Sequence, residues 1–260
     1  MESEGRANQR MKVTGKTEGC ALFVRLQEIT SADAADHLRA LGVHRTVMRG
    51  LRAMTSTGSV VGRARTLRIL PDREDIKAPV NGPANRGLYD SLNDGEILVV
   101  DAMGREDKAV LGDMMFSRIA ARQAIAALVD GAVRDVAHVD RKRFPVFARA
   151  LCPDSYMGWL RPWERDVPVQ CGGVLVMPGD WIIADADGQV VVPASMVEEL
   201  VDKATEKARL DAFSQALLEE GYPLDDAYPL PAHMKLFLEA FSLTGALPTP
   251  EQVSQAYIKN

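Results

Sequence analysis

Apolar positions along this chain change their spacing several times, and each change predicts an element. Residues 29–42 (ITSADAADHLRALG) set Ala, Leu and His at helical intervals behind Thr30 or Ser31 as N-cap, with Gly42 as a stop. SVVGRARTLRIL, residues 59–70, alternates enough to predict a strand ended by Pro71-Asp72. Residues 73–87 are rich in Pro, Gly and Asn and predict a surface loop, followed by one or two helical turns at 88–92. EILVVDA, 96–102, is a continuous apolar run and predicts a strand buried on both faces.

The stretch from Gly112 to Asp135, GDMMFSRIAARQAIAALVDGAVRD, opens with a Gly-Asp pair ahead of an alanine-rich run. Ile119, Ala120, Gln123, Ala124 and Ala127 recur at helical spacing and predict a helix over 117–129. A strand follows within 127–136, and PVFARAL from Pro145 predicts another. Between 167 and 193 the chain is β-rich: strands at 174–177, 181–184 and 190–192, a turn at Pro178-Gly179-Asp180, and a hairpin at Asp187-Gly188. A long amphipathic helix is expected from Ser195, its candidate N-cap, to about Glu220, with Glu198 three residues on and Gly221 as terminator. One more helix is expected near 234–241. The organisation expected is an extension over 1–28 whose first twelve residues read as disordered, one α/β domain over 29–194, and a helical arm and tail over 195–260.

Composition narrows the function classes. With 31 basic against 36 acidic residues the chain is mildly acidic and has no basic block, which argues against nucleic acid as the main ligand. Cys20, Cys152 and Cys171 are widely spaced, so neither a disulfide framework nor a zinc knuckle is expected. His37, His44, His138 and His233 show no paired-histidine spacing suited to zinc. The polar start MESEGRANQRMK has no apolar signal core, and no run approaches membrane-spanning length, so the expected compartment is the cytoplasm, with no membrane partner. No glycine-rich nucleotide loop follows a strand, which argues against a methyltransferase.

Candidate chemistry gathers around Gly112–Asp135. A helix start has unpartnered backbone N–H groups, so the amides of Met114 and Met115 are candidate donors to a carboxylate, with Gly112 permitting close approach. The alternative is that Asp113 caps its own helix. Arg134 can grip a carboxylate at two points, and Asp135 can hold Mg²⁺. On a regular strand adjacent residues face opposite sides, so joint action of Arg134 and Asp135 requires a strand end or bulge; the alternative is a solvated ion pair. Ligands in open α/β layers sit at strand ends beside helix N-termini, and one strand–helix–strand turn brackets these residues. His138 is a candidate neighbour of the site. Trp159 and Trp163 read as packing or lid residues near a subunit contact, Asp185 and Asp187 as hairpin chemistry, and EELVDKATEKARLD as a solvated helix face.

Residues 29–228 resemble the RraA-like family, which includes the regulators of ribonuclease activity and the 4-hydroxy-4-methyl-2-oxoglutarate aldolases. The resemblance rests on GDMMFSRIAARQAIAALVDGAVRD and CGGVLVMPGDWIIADADGQVVVP, supported by VVGRARTLRILP and LVVDAMG. Aldolase members carry an acidic residue, twenty intervening residues and Arg-Asp, a spacing matched by Asp113 and Arg134-Asp135. The resemblance implies a layered β/β/α sandwich of the swivelling-domain type with a C-terminal helical arm, assembled as trimers or dimers of trimers. It implies that Arg134 binds a pyruvyl moiety, that Asp135 holds Mg²⁺ or Mn²⁺, that Asp113 positions a metal-associated water, and that the amides after Gly112 receive the substrate carboxylate. A second carboxylate from the adjacent subunit's C-terminal helix is implied, for which Glu206 is the candidate. The activity implied is metal-dependent cleavage of a 4-hydroxy-2-oxo acid to pyruvate and a second carbonyl compound, with oxaloacetate decarboxylation as a side reaction. The alternative is a non-catalytic relative that regulates a ribonuclease. The tail PLDDAYPLPAHMKLFLEAF resembles longer relatives associated with sugar-acid catabolism, which leaves the substrate open.

Overall fold

In the computed structural model residues 17–56, 58–77, 83–141 and 143–258 are described. The polar segment 1–12 lies outside them, as does the middle of the loop expected at 73–87.

Helices α1 (Thr17–Leu26) and α2 (Ser31–Ala40) precede two short strands, β1 (Val47–Met48) and β2 (Arg52–Ala53). Thr30 caps α2 as the spacing suggests, its side chain accepting from the Asp33 amide. The centre follows as β3 (Val60–Pro71), α3 (Ala84–Ser91), β4 (Glu96–Leu111), α4 (Asp113–Ala121), β5 (Ala126–Val133), α5 (Val136–Arg141) and β6 (Val146–Leu151). Then come β7 (Leu160–Arg165), the pair β8 (Val169–Cys171) and β9 (Val174–Val176), β10 (Trp181–Ala184), β11 (Gln189–Val192) and α6 (Val197–Glu220).

Strands β3, β4, β5 and β6 are mutually parallel, and the main sheet runs β1-β11-β10-β3-β4-β5-β6-β2, with β7 also paired to β3. Side chains that alternate along the central strands build two cores. Leu98, Val100, Ala127 and Val129 face Leu88, Phe116, Ile119 and Val139 of the helices. Ile97, Val99, Ala126 and Leu128 face Val169, Cys171, Val174 and Val176 of the β8–β9 hairpin. Helices on one face of a sheet and a second β layer on the other form the expected α/β sandwich, and burial on both faces explains why these strands read as continuous apolar runs.

Local expectations need several corrections. The helix expected over 117–129 ends at Ala121: the Arg122 amide turns back to Arg118 and Ile119, and Gln123 takes φ 64°. From Ala126 the same alanines lie in β5, where every residue is buried. A strand packed on both faces has no polar phase, so small residues there mimic a helix. Strand β4 runs nine residues past Ala102, to Leu111, with three register shifts against β5. Helix α3 begins inside the predicted loop, at Ala84, and α5 carries too few residues to show a period. Helix α6 starts at Val197, two residues after Ser195.

By internal contacts, residues up to Leu200 form one unit and those from Val201 a second. In the second unit α6 stops at Gly221 (φ 96°), as its composition predicts. The single helix expected near 234–241 is instead two: α7 (Leu224–Ala227) is followed by α8 (Ala232–Lys235), α9 (Leu238–Thr244) and α10 (Pro250–Ile258). Phe213, Leu217, Ala227, Met234 and Val253 form their core. No described helix is long and apolar enough to cross a membrane.

Candidate active site

The last register pair between β4 and β5 is Leu111 with Val133, and the Arg134 amide donates to the Leu111 carbonyl at 3.0 Å. That places Gly112 beside Arg134 where both strands end. Gly112 is the N-cap of α4 and has extended backbone angles. Asp135 has φ 60°, a left-handed turn just beyond the strand, so the strict alternation of faces no longer applies. Its Oδ2 sits 3.4 Å from the Nε of Arg134 and 3.4 Å from the Asp113 amide. A Cβ placed on Gly112 would lie 2.8 Å from that same Oδ2 and 3.1 Å from the Arg134 Nε. The absence of a side chain at 112 is therefore what lets the two functional groups reach the start of α4.

The Asp113 backbone amide and the Arg134 and Asp135 side chains thus lie together, while the Asp113 carboxylate engages the Met114 amide. Arg134 and Asp135 each keep 43% of their side chains exposed, so the pair is open to a ligand. The Arg134 Nη1 donates to the Pro153 carbonyl at a long 3.4 Å. The two amides proposed as carboxylate donors already have partners: Met114 N donates to Asp113 Oδ1 at 2.7 Å, and Met115 N to the Gly112 carbonyl at 3.1 Å. The amide of Asp113, aimed at Asp135, was not foreseen. His138 uses its backbone on the Asp135 carbonyl and its ring on Arg141, which marks it as part of α5. Asp185 serves the hairpin, accepting from the amides of Asp187 and Gly188, and also from Ser31. Glu206 lies exposed on α6 in the second unit.

The donor set suits a hard divalent cation. Mg²⁺ and similar ions take one or two carboxylates and complete their shell with water, and Asp113 and Asp135 offer two. Among the described residues no cluster of three or more His, Cys, Asp or Glu side chains is arranged to hold a metal, which a closed zinc-type site would need. Cys171 is fully buried, and that burial pushes its thiol well above the ordinary range, with the charges of Asp130 and Asp101 adding to the effect.

Where β4 and β5 last pair in step, at Asp101 with Asp130, lies a buried polar network that the periodic pattern did not single out. Asp130, fully buried, accepts from Arg149 Nε, Gln170 Nε2 and, at 3.1 Å, the Gly172 amide. Asp101, also buried, accepts from Gln170 and Met103. The available signal was a carboxylate set inside each of two apolar runs, EILVVDA and ALVDGAV, because a buried charge requires partners.

The profile of the RraA-like family, described as Aldolase/RraA, matches residues 31–191. The chain belongs to this family. A protein of Halalkalibacterium halodurans named "Putative 4-hydroxy-4-methyl-2-oxoglutarate aldolase" is 30% identical over 190 residues, covering 69% of this chain and 84% of that one. One of the same name from Xanthomonas campestris is 31% identical over 178 residues, covering 66% and 96%. The crystal structure of Streptomyces coelicolor RraAS2, described as an unusual member of the RNase ES inhibitor RraA family, superposes with TM-score 0.70 at 35% identity, over 77% of this chain and 97% of that one.

Proposed function

We propose that this RraA-like chain is a divalent-metal-dependent aldolase that cleaves a 4-hydroxy-2-oxo acid to pyruvate and a second carbonyl compound. The observation that carries the reading is the convergence of Asp113, Arg134 and Asp135 around the side-chain-free Gly112. Arg134 grips the substrate carboxylate at two points. Asp135, with Asp113, would hold Mg²⁺ or Mn²⁺, directly or through water. When bound, the ion supplies Lewis-acid charge beside the 2-oxo group. Arg134 adds positive charge where negative charge grows as the C3–C4 bond breaks and its electron pair moves toward C3. Asp113 orients a water that takes the proton of the 4-hydroxyl, C4 becomes a carbonyl, and C3 regains a proton to give pyruvate. No lysine Schiff base is required. Oxaloacetate, which loses CO₂ from the same carbon skeleton, is the expected side substrate.

Two carboxylates from one chain leave room for a third. We propose that Glu206 of a neighbouring copy provides it, in a trimer or dimer of trimers. Mixing Arg134→Ala with Glu206→Gln protein should then restore turnover that neither variant has alone. The reading is tested by pyruvate release coupled to lactate dehydrogenase, with Mg²⁺, a panel of 4-hydroxy-2-oxo acids and oxaloacetate, and an EDTA control. EDTA-sensitive pyruvate that disappears in a folded Arg134→Ala variant is the expected result. Turnover that survives either change would refute it. The likeness to an RNase inhibitor relative supports the rival reading, a non-catalytic regulator, which predicts ribonuclease binding and no pyruvate.

A further inference from the structure

The two halves of the proposed site come from strands that do not keep step. β4 and β5 run in unbroken parallel register from Ile97 with Ala126 to Asp101 with Asp130. Leu111 lies ten positions after Asp101, yet its partner Val133 lies only three after Asp130. The surplus of β4 bulges from the pairing in three steps, rejoining β5 at Arg105 with Gly131, at Ala109 with Ala132 and at Leu111 with Val133, and it first departs where the two buried carboxylates stand side by side. It leaves through a left-handed pair, Met103 (φ 57°) and Gly104 (φ 68°), the first of which carries a side chain and is strained there.

Asp101 holds that turn. Its Oδ1 accepts the Met103 amide at 2.9 Å, and the same carboxylate takes Gln170 N and Nε2, each at 3.2 Å. Gln170 continues to Asp130, which Arg149 also clamps. The excursion is pressed onto β5 at Gly131, where a Cβ would meet Ala102 Cβ at 2.7 Å and the Arg105 carbonyl at 3.1 Å. The first step, from Asp101 to Arg105, is therefore fixed at its departure; the strand is held again at Ala109, whose amide donates to the Asp154 carbonyl at 2.7 Å, and Leu111 then sets where Gly112 and Asp113 meet Arg134 and Asp135.

We propose that Asp101 is a positioning residue for the candidate site: by fixing the Met103 turn it sets the first re-pairing of β4, at Arg105 with Gly131, and through the strand that follows the placement of Asp113 against the Arg134-Asp135 pair. The kinetic part of this inference rests on the aldolase reading; the structural part does not.

Hydrogen exchange of full-length protein separates the two. In Asp101→Ala the amides of 109–117 should exchange about five- to tenfold faster, the change expected for losing a hydrogen bond of ordinary strength. Asp101→Asn, which keeps Oδ1 for the Met103 amide but turns an NH2 toward the Gln170 amide, should return them part of the way. Buried Cys171 should stay as resistant to alkylation as in the wild type, because the hairpin keeps its apolar packing. With turnover, Asp101→Ala should raise KM for the oxo acid and Asp101→Asn should recover part of that rise; a purely structural role would lower the active fraction and leave KM unchanged. Unchanged exchange at 109–117, or exchange raised throughout together with Cys171 labelling, would overturn the proposal. If Asp101→Ala does not fold, the double variant Asp101→Ala/Met103→Gly decides: glycine relieves the left-handed strain, so recovery of folding supports the role and continued failure refutes it. A wild-type protein that makes no pyruvate defeats the aldolase reading and leaves the exchange result standing.

Discussion

Replacing Gly112 by alanine is the sharpest perturbation of the site, because the added methyl meets functional atoms and little else. Its Cβ would stand 2.8 Å from Asp135 Oδ2, 3.1 Å from Arg134 Nε and 3.2 Å from Arg134 Cγ. Ordinary contacts begin near 3.5 Å, so the Asp135 carboxylate must retreat by roughly 0.7 Å. Gly112 has φ −142° and ψ −172°, extended angles open to any residue, so no backbone strain accompanies the change. The crowded atoms belong to side chains that are 43% exposed and free to swing outward, which keeps the stability cost to about 1 kcal/mol or less. Misplacement of a functional group by this much lowers turnover by roughly 10- to 100-fold. Steady-state kcat/KM for pyruvate release, read beside the thermal midpoint, makes the comparison. Gly188→Ala, where an added Cβ meets nothing within 4 Å, is the control and should be neutral on both. A Gly112→Ala protein with wild-type kcat/KM would show that the positions of Asp135 and Arg134 do not govern the chemistry.

Further expectations follow from the same geometry and from the cores. Arg134→Lys keeps the charge but loses the two-point grip, so KM for the oxo acid should rise by about 10- to 100-fold in the coupled assay, with the fold unchanged. Phe147 is fully buried in the core beneath the hairpin, and Phe147→Ala should cost about 3–5 kcal/mol in urea unfolding followed by circular dichroism. Burial alone would raise the Asp185 carboxyl, but hydrogen bonds from Ser31, Asp187 and Gly188 outweigh it and hold the group below its ordinary value of 3.8. A depressed carboxyl contributes stability above the unfolded pKa and loses it as pH falls through the folded one. The stability difference between wild type and Asp185→Asn should therefore be full at pH 7 and shrink below about pH 4, which urea midpoints measured at both values will test.

Much of the candidate site was legible because it depends on short, strictly ordered chemistry. A Gly-Asp pair ahead of a helix and an Arg-Asp pair after a strand mark two chain ends, and one strand–helix–strand turn returns them to the same edge. The left-handed Asp135 answers the requirement that neighbouring residues act together beyond a strand. The competing role was equally legible in kind: the Asp113 carboxylate accepts from the amide of Met114, so it engages its own helix. Less legible was β4. Its apolar run ends at Ala102, whereas pairing continues to Leu111 through Arg105 and Ala109, which no strand pattern selects.

By itself the sequence determined the spacing of Asp113 and Arg134-Asp135, the hairpin at Asp187-Gly188, the cap at Thr30 and the stop at Gly221, all of which follow from local backbone preference and the chemistry of a few side chains. Tertiary structure decided the rest. It turned the alanines from Ala126 on from a helical pattern into a strand, because a segment covered on both faces by other layers has no polar side to set its period. It also brought Asp101, Asp130, Arg149 and Gln170 into one buried network, since residues up to 69 positions apart meet only once the hairpin closes over the sheet, and charges removed from water must find their partners there.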